Sequence, residues 1–104
     1  MVILPEFFPG ITGFQWDDGN SEKNWRRHSV TQVEAEQIFF NWPVLVSRDP
    51  KHSGVEVRYF ALGRMDAERK LAIVFTLRGS SLRVISARPM SHRERRVYGQ
   101  AQGA

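Results

Sequence analysis

The segment from Leu71 to Leu77 is apolar at nearly every position, so it offers no wet face. A short run of this kind reads as a strand in the middle of a sheet, covered on both sides. Arg78-Gly79-Ser80-Ser81 then reads as a tight hairpin turn, and Leu82 to Ala87 returns as the next strand. This pair commits the chain to a sheet, around which the other segments must build. Val44-Leu45-Val46 is β-branched and apolar, and Val55, Val57 and Tyr59 alternate with Glu56, Arg58 and Phe60. Both read as strands. Asp49-Pro50-Lys51-His52-Ser53-Gly54 and Met65-Asp66-Ala67-Glu68-Arg69 are the polar connections between them. Phe14-Gln15-Trp16 alternates like one more short strand.

Three helices are signalled by their starts. Asp17 or Asp18 can cap a helix running to about His28, polar except for Trp25, which must then supply most of its packing. Thr31 stands three residues before Glu34, a capping-box spacing, with Val30 and Ala35 placed as a hydrophobic staple. Val33, Gln37 and Phe40 share one stripe of that helix, Ile38 and Phe39 widen it, and Pro43 ends it. Ser91 and Glu94 repeat the capping-box spacing and open a short helix to about Tyr98. The order β-α-α-β-β-β-β-α predicts an α+β class. The expected architecture is a twisted antiparallel sheet of about four to five strands, with the helices packed on one face.

At 104 residues the chain, 1–104, is expected to form a single domain. Residues 1–13 read as an extension that lays a loop or short strand over an apolar surface, and residues 99–104 as a mobile tail. The opening MVILPEFFPGITG lacks Lys and Arg and is broken by Pro5 and Pro9, so it reads as neither signal peptide nor membrane span. The sequence has no cysteine, which excludes thiol catalysis and points to a reducing cytoplasm. His28, His52 and His92 form no His-x-x-x-His pair, so neither a metal nor another cofactor is expected.

Charge is distributed unevenly. Arg78, Arg83, Arg88, Arg93, Arg95 and Arg96 face a single acid, Glu94, in the last 27 residues, whereas the first 77 carry a net −1. Twelve of the 15 basic residues are arginine, whose planar fork grips phosphate through paired hydrogen bonds. Such a balance suits a polyanionic partner.

Three blocks then resemble a known family. Phe14-Gln15-Trp16-Asp17, Asn24, His28, Val30, Glu34-Ala35 and Phe39 form the first block. Arg58-Tyr59-Phe60-Ala61-Leu62-Gly63 forms the second, and Val84-Ile85-Ser86-Ala87-Arg88 with Arg93-Glu94-Arg95 and Tyr98 the third. Together they resemble the BrnT toxins over about residues 14 to 98. The resemblance implies a RelE-like ribonuclease, the toxin half of a bacterial type II toxin–antitoxin pair, which cuts RNA and arrests translation and growth. It also implies a BrnA-like antitoxin that contacts operator DNA and joins the toxin in a two-plus-two complex. Asn20 stands where the family often has lysine, Ser29 where it often has glycine, and Val57 where it often has an acid.

A metal-free ribonuclease needs a base for the ribose 2′-hydroxyl, cations for the phosphate and an acid for the leaving oxygen. Arg58, Arg83 and Arg88 are the candidates for the phosphate, although Arg83 and Arg88 have opposite parity and would point to opposite faces of a regular strand. A bulge or strand end would have to re-aim one of them. His28 is the candidate acid–base group, favoured as a cation at a helix end or serving as that helix's cap. Glu94 is a candidate base, or else a helix cap and partner of Arg88. Tyr98 is a candidate proton donor or stacking platform, or else a core aromatic with its hydroxyl at the surface. Lys23, Arg26, Arg27 and Arg93 are expected to hold the RNA backbone. The alternative is a non-catalytic nucleic-acid-binding or antitoxin-binding domain in a repressor complex.

Overall fold

A computed structural model describes residues 2–3, 10–49, 54 and 56–103, and among these it shows six strands and three helices. The strands are β1 (Val2–Ile3), β2 (Gly13–Gln15), β3 (Leu45–Arg48), β4 (Arg58–Arg64), β5 (Lys70–Arg78) and β6 (Ser81–Pro89). The helices are α1 (Asp18–His28), α2 (Gln32–Gln37) and α3 (His92–Gln102). Pro50 to Ser53 of the expected 49–54 connection, and Val55, lie outside the described residues, as do Met1 and residues 4–9.

One sheet holds all the strands in the order β1-β3-β4-β5-β6-β2. The β3–β6 meander is antiparallel, as the short connections require, and the class is the α+β expected. Its β5–β6 turn places Arg78 opposite Ser81 around Gly79, whose φ of +59 suits a primed hairpin turn. Strand β2 instead runs parallel to β6. It is followed by α1 and α2 rather than by a hairpin, so nothing forces an antiparallel return. The N-terminal extension adds β1, antiparallel to β3.

The helices cover both faces of the sheet, not one. Ala35, Ile38 and Phe39 of the α2 region pack with Val46, Ala61, Ile73, Phe75, Val84 and Ala87 in the larger core. Tyr98 of α3 packs with Leu62, Ala72 and Met90 on the opposite face, flanked by Leu45 and Phe60. Strands β4 and β5 carry apolar side chains on both faces, so each face needs a cover.

The capping signals are obeyed. Asp17 caps α1 by accepting from the Asn20 amide, and both Thr31–Glu34 and Ser91–Glu94 form full capping boxes. Helix α2 stops at Gln37, well before Pro43, and its buried stripe is Ala35, Ile38 and Phe39. Val33 and Phe40 face solvent, Phe40 at 77% exposure. Trp25 is likewise 56% exposed and does not anchor α1. Asn24 does so, at 2% exposure: its Oδ1 accepts a 3.1 Å hydrogen bond from the Ala87 amide, a β6 group that the short β2 does not reach. Helix α3 runs past Tyr98 to Gln102, so most of the segment read as a tail is helical.

Candidate active site

Strand register decides which side chains share the site. Arg58 of β4, Thr76 of β5 and Arg83 of β6 are mutually opposite and form one row across the sheet. Phe60, Val74 and Ser86 form the next row, and Leu62, Ala72 and Arg88 the third. Between the first two rows, Phe75 pairs with Val84 while Val74 pairs with Ser86, so Ile85 is an extra residue in β6. This is the geometry of a β-bulge, and it reverses the parity of everything after it. The burial pattern agrees: Leu82 and Val84 are buried in the larger core, and the next buried residue is Ala87, not Ser86. The bulge therefore puts Arg83 and Arg88 on one face, together with Arg58. Helix α3 covers the Leu62–Ala72 part of this face, while Arg58, Phe60, Val74, Arg83 and Ser86 remain half-buried.

Carboxylates hold the arginines in place. Asp17 accepts a 2.6 Å bond from Nη2 of Arg83 while it caps α1, and Nε of Arg83 is buried with no hydrogen-bond partner among the described residues. The Asn20 amide and then Arg83 keep the Asp17 carboxyl below its usual range. Glu56 accepts two bonds from Arg78, at 3.0 and 3.2 Å, and these hold its carboxyl low, with Arg83 and Arg58 adding to the effect. Buried Thr76 donates its hydroxyl to the Val57 carbonyl at 2.8 Å, fixing the chain just before Arg58. Asp17, Glu56, Thr76 and Arg78 were not among the expected site residues. Strand parity was the signal that could have found Glu56 and Thr76: Glu56 is two residues before Arg58, and a two-residue turn sets Thr76 opposite Arg83.

Arg88 lies at the other end of the face. Its two terminal nitrogens bond both Glu94 oxygens at 2.7 and 2.9 Å, and one also reaches the Pro89 carbonyl. Glu94 Oε1 additionally accepts from the Ser91 amide. Arg88 in first place, and the cap, bring the Glu94 carboxyl down to about 2. Glu94 is thus a cap and an arginine clamp, and a carboxylate held so low is a weak base.

His28 ends α1 but does not cap it; Ser29 does, in the left-handed region at φ 52. Burial first, then Arg27, Arg88, Arg69 and Lys23, push the imidazole below its usual pKa. The helix end would favour a cation, but desolvation and four positive neighbours outweigh it, so the fold favours the neutral imidazole. Tyr98 is fully buried, and its hydroxyl donates to the Pro43 carbonyl at 2.6 Å. Tyr98 is thus a core aromatic, but its hydroxyl is bonded inside the protein rather than lying at the surface as expected. Lys23, Arg26 and Arg27 line a shallow hollow on α1 with Gly19 and Glu22, where Arg26 pairs with Glu22. Arg93 is exposed in the first turn of α3.

Among the described residues no three His, Asp or Glu side chains converge as a metal site, and no helix is long and apolar enough to cross a membrane. An α+β domain with three arginines on one half-open sheet face carries the chemistry that suits an anion. Residues 16–94 match the family model described as "Ribonuclease toxin, BrnT, of type II toxin-antitoxin system", and the chain belongs to that family. A solved structure, the 1.1 Å crystal structure of the Brucella abortus ribonuclease toxin BrnT, shares the fold at a TM-score of 0.56 and 20% identity. The match covers 78% of this chain and 99% of the Brucella chain. No curated protein matches the chain.

Proposed function

We propose that this protein is a metal-independent endoribonuclease, the toxin of a type II toxin–antitoxin pair. It cleaves RNA in the cytoplasm and thereby halts translation and growth. The observation that carries the reading is the β6 bulge, which gathers Arg58, Arg83 and Arg88 on one face. An RNA strand laid along that face meets Arg58 and Arg83 at one phosphate and Arg88 further on, while Lys23, Arg26, Arg27 and Arg93 hold the flanking backbone. Asp17 and Glu94 are positioning residues, since each fixes a guanidinium group. Neutral His28, within the electrostatic reach of Arg88, takes the 2′-hydroxyl proton. The 2′-oxygen attacks phosphorus, the 5′-oxygen leaves with a proton from water, and a cyclic phosphate remains. Arginines paired for the incoming charge before it develops need no reorganisation.

The partner is an antitoxin resembling BrnA, in a two-plus-two complex that contacts operator DNA through the antitoxin. Expression of the chain with and without Arg88→Ala, reading host growth and transcript integrity, tests the proposal. Wild-type expression should arrest growth and fragment RNA, and the variant should do neither. Growth and intact transcripts with both forms would reject it. Binding with steep salt dependence but no cleavage would favour the non-catalytic alternative.

A further inference from the structure

His28 stands where a helix ordinarily frays. It is the last residue of α1, and the final carbonyls of a helix have no partner within it. Here the carbonyls of His28 and Ser29 are both taken by one side chain. Arg69 donates Nη2 to the His28 carbonyl at 2.6 Å and Nη1 to the Ser29 carbonyl at 3.0 Å. Arg69 closes the connection between β4 and β5, which is itself tied down. The Met65 amide donates to the Arg69 carbonyl and the Glu68 amide to the Met65 carbonyl, both at 2.9 Å. On its far side, Gln37 accepts from the Asp66 amide and Asn41 donates to the Asp66 carboxylate. Ser29, at φ 52, and Glu68, at φ 67, are the two non-glycine residues in the left-handed region among the described residues. One lies on each side of the Arg69 contact. Such backbone is costly, persists only where its surroundings impose it, and gathers at functional sites.

We infer that Arg69 is a positioning residue for the reaction: its fork pins the end of α1 and so aims the His28 imidazole at the 2′-hydroxyl of the substrate. The inference rests on the ribonuclease reading, in which His28 is the base. A base displaced by about an ångström loses much of its advantage, so a grip on its own backbone has a direct effect on rate. The guanidinium acts in two separable ways. Its paired donors fix direction, which a lysine ammonium, a point charge on a flexible stem, does not reproduce. Its charge acts on the ring, because both of its bonds go to carbonyls, which do not neutralise it. Burial is the largest influence on the imidazole. The cations around it are Arg27 and Lys23 of α1, Arg69, and Arg88 of β6, which is paired with Glu94 of α3. Burial and these cations together favour the neutral ring.

Two variants separate the effects, with thermal melts to verify folding. Arg69→Lys keeps the charge and loses the fork; Arg69→Met loses both. On a mixed-sequence oligoribonucleotide, Arg69→Lys should lower kcat about tenfold or more, leave KM within about twofold and keep the acidic limb of the wild-type pH profile. Arg69→Met should lower kcat at least as far and move that limb to higher pH, since one of the cations that disfavour the imidazolium is gone. A residue that only stabilised the fold would change the melting temperature and move neither kcat nor the limb. The imidazole is also read without cleavage. NMR titration of ¹³C-labelled protein, with the His28 signal assigned by its loss in His28→Ala, should show the upward shift in Arg69→Met and none in Arg69→Lys. Folded Arg69→Lys with wild-type kcat, or folded Arg69→Met with an unmoved titration, overturns the positioning role and leaves the nuclease. If Arg69→Met does not fold, the kcat of Arg69→Lys decides. Wild-type protein that cuts nothing rejects the nuclease reading and the positioning role with it; a His28 signal that still moves in Arg69→Met then leaves a structural contact alone.

Discussion

A Cβ at Gly63 would stand 2.8 Å from Cβ and 2.9 Å from Cδ1 of Ile38, a fully buried side chain just past α2. Real side chains do not approach so closely, so α2 sits on β4 only because position 63 has no side chain. Gly63→Ala should cost about 1–3 kcal/mol through overpacking, measured as a lower denaturant midpoint at unchanged slope. His28 gives a second expectation at this scale. Its pKa lies below 6.5 in the folded protein, so its neutral form is the one the fold prefers. Cleavage should then rise with pH along a limb centred below pH 6.5, and His28→Ala should abolish that limb. Stability from the same group is present above pH 6.5 and declines on acidification, as the unfolded chain takes up the proton first. Hydropathy alone was a poor guide to these contacts. It points to Trp25 as the anchor of α1, whereas the unpaired Ala87 amide at the sheet edge selects Asn24. A hydrogen bond between residues 63 positions apart leaves no periodic trace in a sequence.

At the level of elements, helix starts were legible because their signals are local. Thr31–Glu34 and Ser91–Glu94 form the boxes that their spacing announces, and the Leu71–Ala87 hairpin forms where apolar runs flank a glycine turn. Helix ends and faces were less legible. Val33 and Phe40 fit a helical stripe as well as Ala35 and Ile38 do, and only the sheet beneath decides between them. The α3 cap also predicts an acid response. Glu94 has a folded pKa of about 2 against an ordinary value of 4.5, so its stabilising effect is complete above pH 4.5 and is lost as pH falls toward 2. Melting temperatures of wild type and Glu94→Gln should differ at pH 7 and converge toward pH 2. An equal gap at both ends would rule out the Arg88–Glu94 pair as its source.

Across the whole molecule, an excess of late arginines was visible in the sequence, but their convergence was not. The excess predicts salt-sensitive RNA binding, with the logarithm of affinity falling linearly against that of salt concentration. Arg58→Ala and Arg83→Ala together should reduce this slope by about 0.7, for the one single-strand phosphate that both arginines meet. Titrations of a 2′-O-methyl strand between low and physiological salt would measure it, and unchanged slopes would place both arginines away from the backbone. Ile85 matters at this scale although it is uncharged and binds nothing. The same chain paired without the bulge would keep every arginine and the same isoelectric balance, yet Arg83 and Arg88, five positions apart, would then point to opposite faces. Counting basic residues would rate the two pairings equal; only the extra residue at 85 tells the armed sheet from the inert one.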